Sequence, residues 1–230
     1  MEVGPLYDIL VFMNRDPFEV GEFYHVYNHG VEDRNIFGDE KDVERFVKCL
    51  EIFNTVEPIG GLYVESLLDE QNPRGPTSSE KLVNLVSYCL NPNHYHLLLE
   101  EVSVGGISEF MKRIGVGYTL YFNVKNKRKG ALFRGRFRST WIGTDEYLLY
   151  LSAYINLNFK VHKLPEDVLT LVRSSWKEYI GEIKREICKK DAILKQFKSR
   201  EGYQKYAEDS LILMLERKEF DRQLKYLAID

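Results

Sequence analysis

The sequence predicts an α+β protein: a ferredoxin-like antiparallel sheet with helices on one face, followed by a C-terminal helical extension. Three observations carry this. Short aromatic and β-branched runs alternate with segments of helical period, the mixed pattern of an α+β chain. Two apolar runs, "LVNLVSYCL" and "HYHLLLEEV", are separated only by Asn91-Pro92-Asn93, a turn signal, so they form a hairpin. From about residue 165 onward the pattern is helical with charged punctuation.

Taken in order, residues 1–20 have mixed character and read as an arm. "EFYHVYNHGV" (22–31) is a strand ending in glycine. In 38–54, Val43, Phe46, Val47, Leu50 and Phe53 recur at helical spacing, with Asp39 as the cap. "GGLYVESLL" (60–68) reads as a strand, and the polar, Gly- and Pro-containing 69–81 as a loop. After the hairpin, Ile107, Phe110, Met111, Ile114, Tyr118 and Tyr121 keep a helical period over 107–125. Gly115 and Gly117 weaken that helix by about 1 kcal/mol each, which allows a bend. "ALFRGRFRSTWIG" (131–143) alternates and predicts a strand. "TDEYLLYLSAYINLN" (144–158) predicts a capped helix. The order is β-α-β-β-β-α-β-α. Three units follow: the arm to residue 20, a main domain over 21–163, and a helical region over 164–230.

The composition bounds what such a chain does. At 230 residues, 44% hydrophobic and 29% charged, it is long enough for one compact domain with an appendage and reads as globular. The net charge of −3 excludes nucleic-acid binding by bulk charge alone, so any such binding must be local. Cys49, Cys89 and Cys188 are scattered and odd in number, with no CxxC, which predicts neither a zinc cage nor a disulfide framework. A reducing, cytoplasmic setting fits this usage. "GPLYDILVFM" is too short for a signal peptide or a membrane span.

The hairpin's second strand opens with His94-Tyr95-His96. Residues i and i+2 of a strand share a face, so the two imidazoles are neighbours at the head of an apolar run. Two imidazoles on one face can hold one divalent metal, and they can equally be half-buried histidines satisfied by hydrogen bonds. The helix over 144–158 offers a third ligand and a use for the metal. Tyr147, Tyr150, Tyr154 and Asn158 fall in one stripe beside an apolar stripe of Leu148, Leu151 and Ile155. Tyr154 and Asn158 are four apart and meet on one face. An amide oxygen suits a hard cation, and a tyrosine beside a cation suits nucleophilic attack. Packing at the edge of the core is the alternative for each tyrosine.

Between residues 102 and 144 the only acid is Glu109. Lys112, Arg113, Lys125, Lys127, Arg128, Lys129, Arg134, Arg136 and Arg138 share 112–138 with Tyr118, Tyr121, Phe122, Phe133 and Phe137. Cations neutralise phosphates and aromatic rings stack on unpaired bases, so this segment is the local route to single-stranded nucleic acid. The alternative is a solvated face. The acidic stretch 201–222 argues against direct DNA contact there.

"YCLNPNHYHLLLE", "FNVKNKRKGALFRGRFRS" and "DEYLLYLSAYINLN", in this order and spacing, resemble the HUH single-tyrosine transposases, whose domain is the IS200-like transposase domain. The similarity is greatest to the REP-associated tyrosine transposase branch. "YHVYNHGVEDRNIF" is similar to that branch's first strand, and "SSWKEYIG" with "ILKQF" to its C-terminal extension. The resemblance covers about residues 20–200. It implies that 21–163 is an HUH catalytic domain, that His94 and His96 are metal ligands completed by Asn158, and that Tyr154 is the nucleophile. It implies cleavage and rejoining of single-stranded DNA, often beside a hairpin, with Mg²⁺ or Mn²⁺, through a 5′-phosphotyrosine intermediate. Lys112, Arg113, Lys127, Arg128, Lys129, Arg134, Arg136 and Arg138 are the expected DNA contacts. Flanking positions depart from the family. Asn91-Pro92-Asn93-His94 lacks the usual Met at its first position, Phe159-Lys160 follows Asn158 in place of Arg-Ala, Ala131 follows Gly130 in place of His, and His29 replaces an Arg. Two other classes stay open: a domesticated, non-cleaving DNA-binding protein of the same fold, and a metal-dependent hydrolase unrelated to DNA. Monomer and dimer are both compatible with the sequence.

Overall fold

The computed structural model describes residues 17–57, 80–183 and 186–227. Strand β1 (Phe23–His29) leads through a short 3₁₀ turn into helix α1 (Glu40–Ile52). Asp39 caps α1, its side chain accepting from the backbone N–H of Asp42 at 3.1 Å. Strands β2 (Val83–Asn91) and β3 (His94–Glu101) form the expected hairpin around Pro92 and Asn93. Helix α2 (Gly106–Lys125), strand β4 (Arg138–Ile142) and helix α3 (Asp145–Asn156) follow. A short α4 (Asn158–Val161) comes next, then a two-residue strand β5 (Arg173–Ser174), α5 (Trp176–Tyr179), α6 (Asp191–Leu194) and the long α7 (Arg200–Leu227).

The five strands form one sheet in the order β4-β1-β3-β2-β5, with every neighbouring pair antiparallel. The α+β class is as expected. The sequence reading put the helices on one face; the structure covers both. Tyr24, Val26, Leu90, Tyr95, Leu97 and Leu99 pack against α1 and α2. Val86, Cys89, Leu98 and Ile142 pack against α3 and the C-terminal helices. The reason lies in β2 and β3, which are buried at nearly every position; strands apolar on both sides need a layer on each.

Other expectations meet the structure unevenly. Helix α2 runs unbroken through Gly115 and Gly117, because Ile107, Phe110, Met111, Ile114 and Tyr118 are buried along it and outweigh the glycine penalty. The strand expected over 131–143 is confined to Arg138–Ile142. Gly130 and Gly135 take positive φ (89° and 79°) and turn the residues before β4 into a loop, tied by a bridge between Phe133 and Gly30, the residue after β1. The helix expected over 144–158 stops at Asn156, and Asn158 opens the next helix after a break at Leu157. The strand expected at 60–68 and most of the 69–81 loop lie outside the described residues, as does most of the N-terminal arm. Among the described residues no helix is long and apolar enough to cross a membrane. All three cysteines are buried and free.

Candidate active site

Pairing in the sheet assembles the site. In β1 against β3, Tyr27 lies opposite His96 and His29 opposite His94. In β2 against β3, Asn91 lies opposite His94. In β1 against β4, Arg138 lies opposite Tyr27. Directly opposed residues share a face, so His25, Tyr27, His29, Asn91, His94, His96 and Arg138 lie on one side of the sheet. That side is the one α3 covers, where Leu148, Leu151 and Ile155 pack over Leu98 and Cys89. This seats Tyr154 with its ring centroid 5.8 Å from that of His96, edge to face.

The β2–β3 turn is fastened from outside. Pro92 O accepts from the backbone N–H of Ile36 at 2.7 Å, and Asn93 O from that of Gly30 at 2.8 Å. Gly30 has no room for a side chain: a Cβ there would stand 2.1 Å from Arg34 O. The close approach of the chain after β1 is what holds the turn, and with it His94, in place.

The imidazoles are oriented by their other nitrogens. His94 Nδ1 is 2.7 Å from Asn93 Oδ1, an atom that only accepts, so Nδ1 carries the proton and Nε2 holds the lone pair. His96 Nδ1 is 2.8 Å from His25 Nε2. With His96 donating in that bond, its Nε2 lone pair is also available. Burial pulls the His94 and His25 pKa values down to about 4 and that of His96 well below the usual range, so all three rings are neutral at pH 7. Burial pushes the Tyr154 phenol above its ordinary value, an effect opposed by the neighbouring Asn158 carboxamide.

Asn158 is fully buried, its Oδ1 accepting from Asn91 Nδ2 at 2.7 Å, while its own Nδ2 is buried without a hydrogen-bond partner. Among the described residues no three His, Cys, Asp or Glu side chains group to hold a metal ion. The donor set here is two imidazole nitrogens and a carboxamide oxygen. These residues fit a divalent cation in type: two neutral imidazoles with lone pairs, and a carboxamide oxygen that suits a hard cation.

His94, His96, Tyr154 and Asn158 are therefore brought together. The expected DNA contacts are not. Lys112 and Arg113 sit on α2, on the far side of the sheet, where both pair with Glu109 and Arg113 also donates to the carbonyls of Phe53 and Thr55. Arg128 braces the loop after α2 through Asn123 and Ala131. Lys127, Lys129 and Arg136 are exposed. Arg134 pairs with Asp33 at 2.7 Å beside His29, and Arg138 faces the site across Tyr27.

Sequence reasoning missed five residues at this face. His25, Tyr27 and His29 alternate along β1, and that period-2 pattern was a signal available in the sequence. All five histidines of the chain meet at this face: the exposed His162, four residues past Asn158, lies with its ring centroid 5.2 Å from that of His94. Lys218, from the acidic stretch of α7, donates to Val161 O at 3.0 Å and lies 3.4 Å from His162 Nδ1. Nothing in the sequence relates Lys218 to the histidines; only the packing of α7 does.

Over residues 75–158 the chain matches the family described as transposase IS200 like. The matched segment is less than half of the chain, yet it spans both histidines and Tyr154 and ends on Asn158. It bears out the family that the sequence motifs resemble. A solved structure of a REP-associated tyrosine transposase bound to a REP hairpin is similar over 76% of this chain and 88% of that one, at 12% identity and a TM-score of 0.45. No curated protein matches.

Proposed function

We propose that this protein is a metal-dependent single-stranded DNA endonuclease and strand transferase of the transposase type, acting in DNA transposition or repeat-element mobilisation. The observation that carries the reading is the convergence of His94, His96, Tyr154 and Asn158 from three separate elements onto one sheet face. Support comes from the family match over the same residues. Residues 21–163 are the catalytic unit in this reading, and 164–230 the helical region packed over α3.

His94 Nε2, His96 Nε2 and the Asn158 carboxamide oxygen would hold Mg²⁺ or Mn²⁺. Such a cation, when bound, acts as a Lewis acid on a phosphoryl oxygen. The remaining work falls to the chain's own groups. His25 and Asn93 keep the imidazoles in the ligating tautomer. The Tyr154 phenol gives up its proton and its oxygen attacks phosphorus in line. The Tyr–O–P bond forms, the P–O3′ bond breaks, and the leaving 3′ oxygen takes a proton. The product is a 5′-phosphotyrosine that a 3′-hydroxyl reverses without ATP. The aromatic and cationic surface of Tyr27, Arg134 and Arg138 beside the site suits a single strand, and the family resemblance adds a hairpin beside the cleaved position.

A gel assay for a covalent complex tests this. Wild type and Tyr154→Phe are incubated with labelled single-stranded oligonucleotides from the flanks of the gene, with Mn²⁺ or EDTA. A denaturant-resistant adduct is expected in wild type with Mn²⁺ only. Adduct formation by Tyr154→Phe would move the nucleophile to Tyr150 or Tyr147. Binding without any adduct would favour the domesticated binding protein.

A further inference from the structure

Asn91 is fully buried at the end of β2, and its carboxamide lies against two of the three ligand side chains. Nδ2 is 3.0 Å from His94 Nε2 and 2.7 Å from Asn158 Oδ1. The tautomer of His94 is fixed by Asn93, so the Asn91 amide donates to the ligating lone pair. An imidazole nitrogen has one such lone pair. It cannot accept an N–H bond and hold a cation together. The same NH₂ group also takes up the Asn158 oxygen. Its two polarised N–H bonds do for these acceptors, electrostatically, what a small cation would do.

We propose that Asn91 is a tethered plug of the metal site, taking up the lone pairs of His94 and Asn158 until a divalent cation displaces it. This rests on the reading of His94, His96 and Asn158 as the ligand set. The plug is held mainly by the ligands themselves. On its other side, among the described residues, Asn91 Oδ1 has as its hydrogen-bond partner the weak donor Cys89 Sγ, at 3.8 Å, a weaker hold than the two ligands give. The hydrogen bonds of the Asn91 amide go to His94 and Asn158 and not to His96. The plug thus lowers the affinity of the site without dismantling it. It also makes the position before Pro92 a determinant of metal affinity.

Calorimetric titration of the full chain with Mn²⁺, in the absence of DNA, tests the proposal. Asn91→Leu keeps the size and removes both donors, and Leu has no ligating atom. Trading the two N–H bonds for none is expected to tighten Mn²⁺ binding about tenfold. Asn91→Ala should move the same way and stands in if the leucine variant does not fold. In wild type, the Asn91 side-chain NH₂ resonances should shift and exchange faster on addition of Mg²⁺. Measurable binding in wild type with equal or weaker binding in both variants would overturn the plug and leave the ligand set standing. No Mn²⁺ binding in wild type or either variant would overturn the ligand set and the plug together.

Discussion

The chemistry of single residues here is set by what stands behind them. His96 Nδ1 lies 2.8 Å from His25 Nε2, and in the ligating tautomer it donates to that atom. Replacing such a partner typically weakens metal binding by about 10- to 100-fold. His25→Phe should therefore bind Mn²⁺ at least about tenfold more weakly than wild type in the same titration, whereas His25→Gln, whose carbonyl can accept, should retain most of the affinity. Equal affinity in His25→Phe would show that the pairing of these rings is only packing. Tyr154 depends on its surroundings in the same way. Burial holds its phenol protonated, and the Asn158 carboxamide beside it works against that rise.

At the scale of elements, the tyrosine helix α3 is a clamp between sheet and C-terminal region. Its lower side packs on Leu98, Cys89 and Ile142. Its upper side is tied to α7 through Tyr203, whose buried hydroxyl accepts from Asn156 Nδ2 at 2.8 Å and lies 3.1 Å from Ser152 Oγ. Asn156 Oδ1 in turn accepts from Ser175 Oγ, which joins the α5 segment to the same network. Tyr203→Phe leaves the Asn156 amide buried without its acceptor, at a cost of about 1–3 kcal/mol. The expected outcome is a lower urea midpoint at unchanged slope, with Tyr154 adduct formation reduced less than stability. An unchanged midpoint would mean that the network contributes nothing net.

For the whole molecule, five histidines gathered on one face make stability depend on pH. His25 and His94 have folded-state values of about 4, His96 is lower than normal too, and the unfolded chain titrates near pH 6.5. Between these limits the unfolded state binds more protons, so stability rises with pH across the window. It is fully present above about pH 6.5 and is lost as pH falls toward 4, by about 1.4 kcal/mol per unit for each such histidine. Glu178, whose carboxyl burial raises, works in the opposite direction near the bottom of the window. Urea unfolding at pH 7, 6 and 5 in EDTA should show a falling midpoint, and one that stays level would contradict the neutral cluster.

Much of this arrangement is legible in the sequence. Period and turn signals mark β1, α1, the β2–β3 hairpin, α2 and α3, because each is decided by local spacing and capping. The order of His94, His96, Tyr154 and Asn158 along the chain is a motif, and the family match covers it. The tertiary structure decides what depends on pairing across the sheet and packing between distant segments. Register alone brings Asn91 and His29 to His94 and puts Tyr27 beside His96. Packing alone carries Lys218 to His162 and sends Lys112 and Arg113 to the far side of the sheet, where Glu109 takes them. Spacing along a chain states which residues share a face of their own element; it holds no information on which faces of different elements will meet.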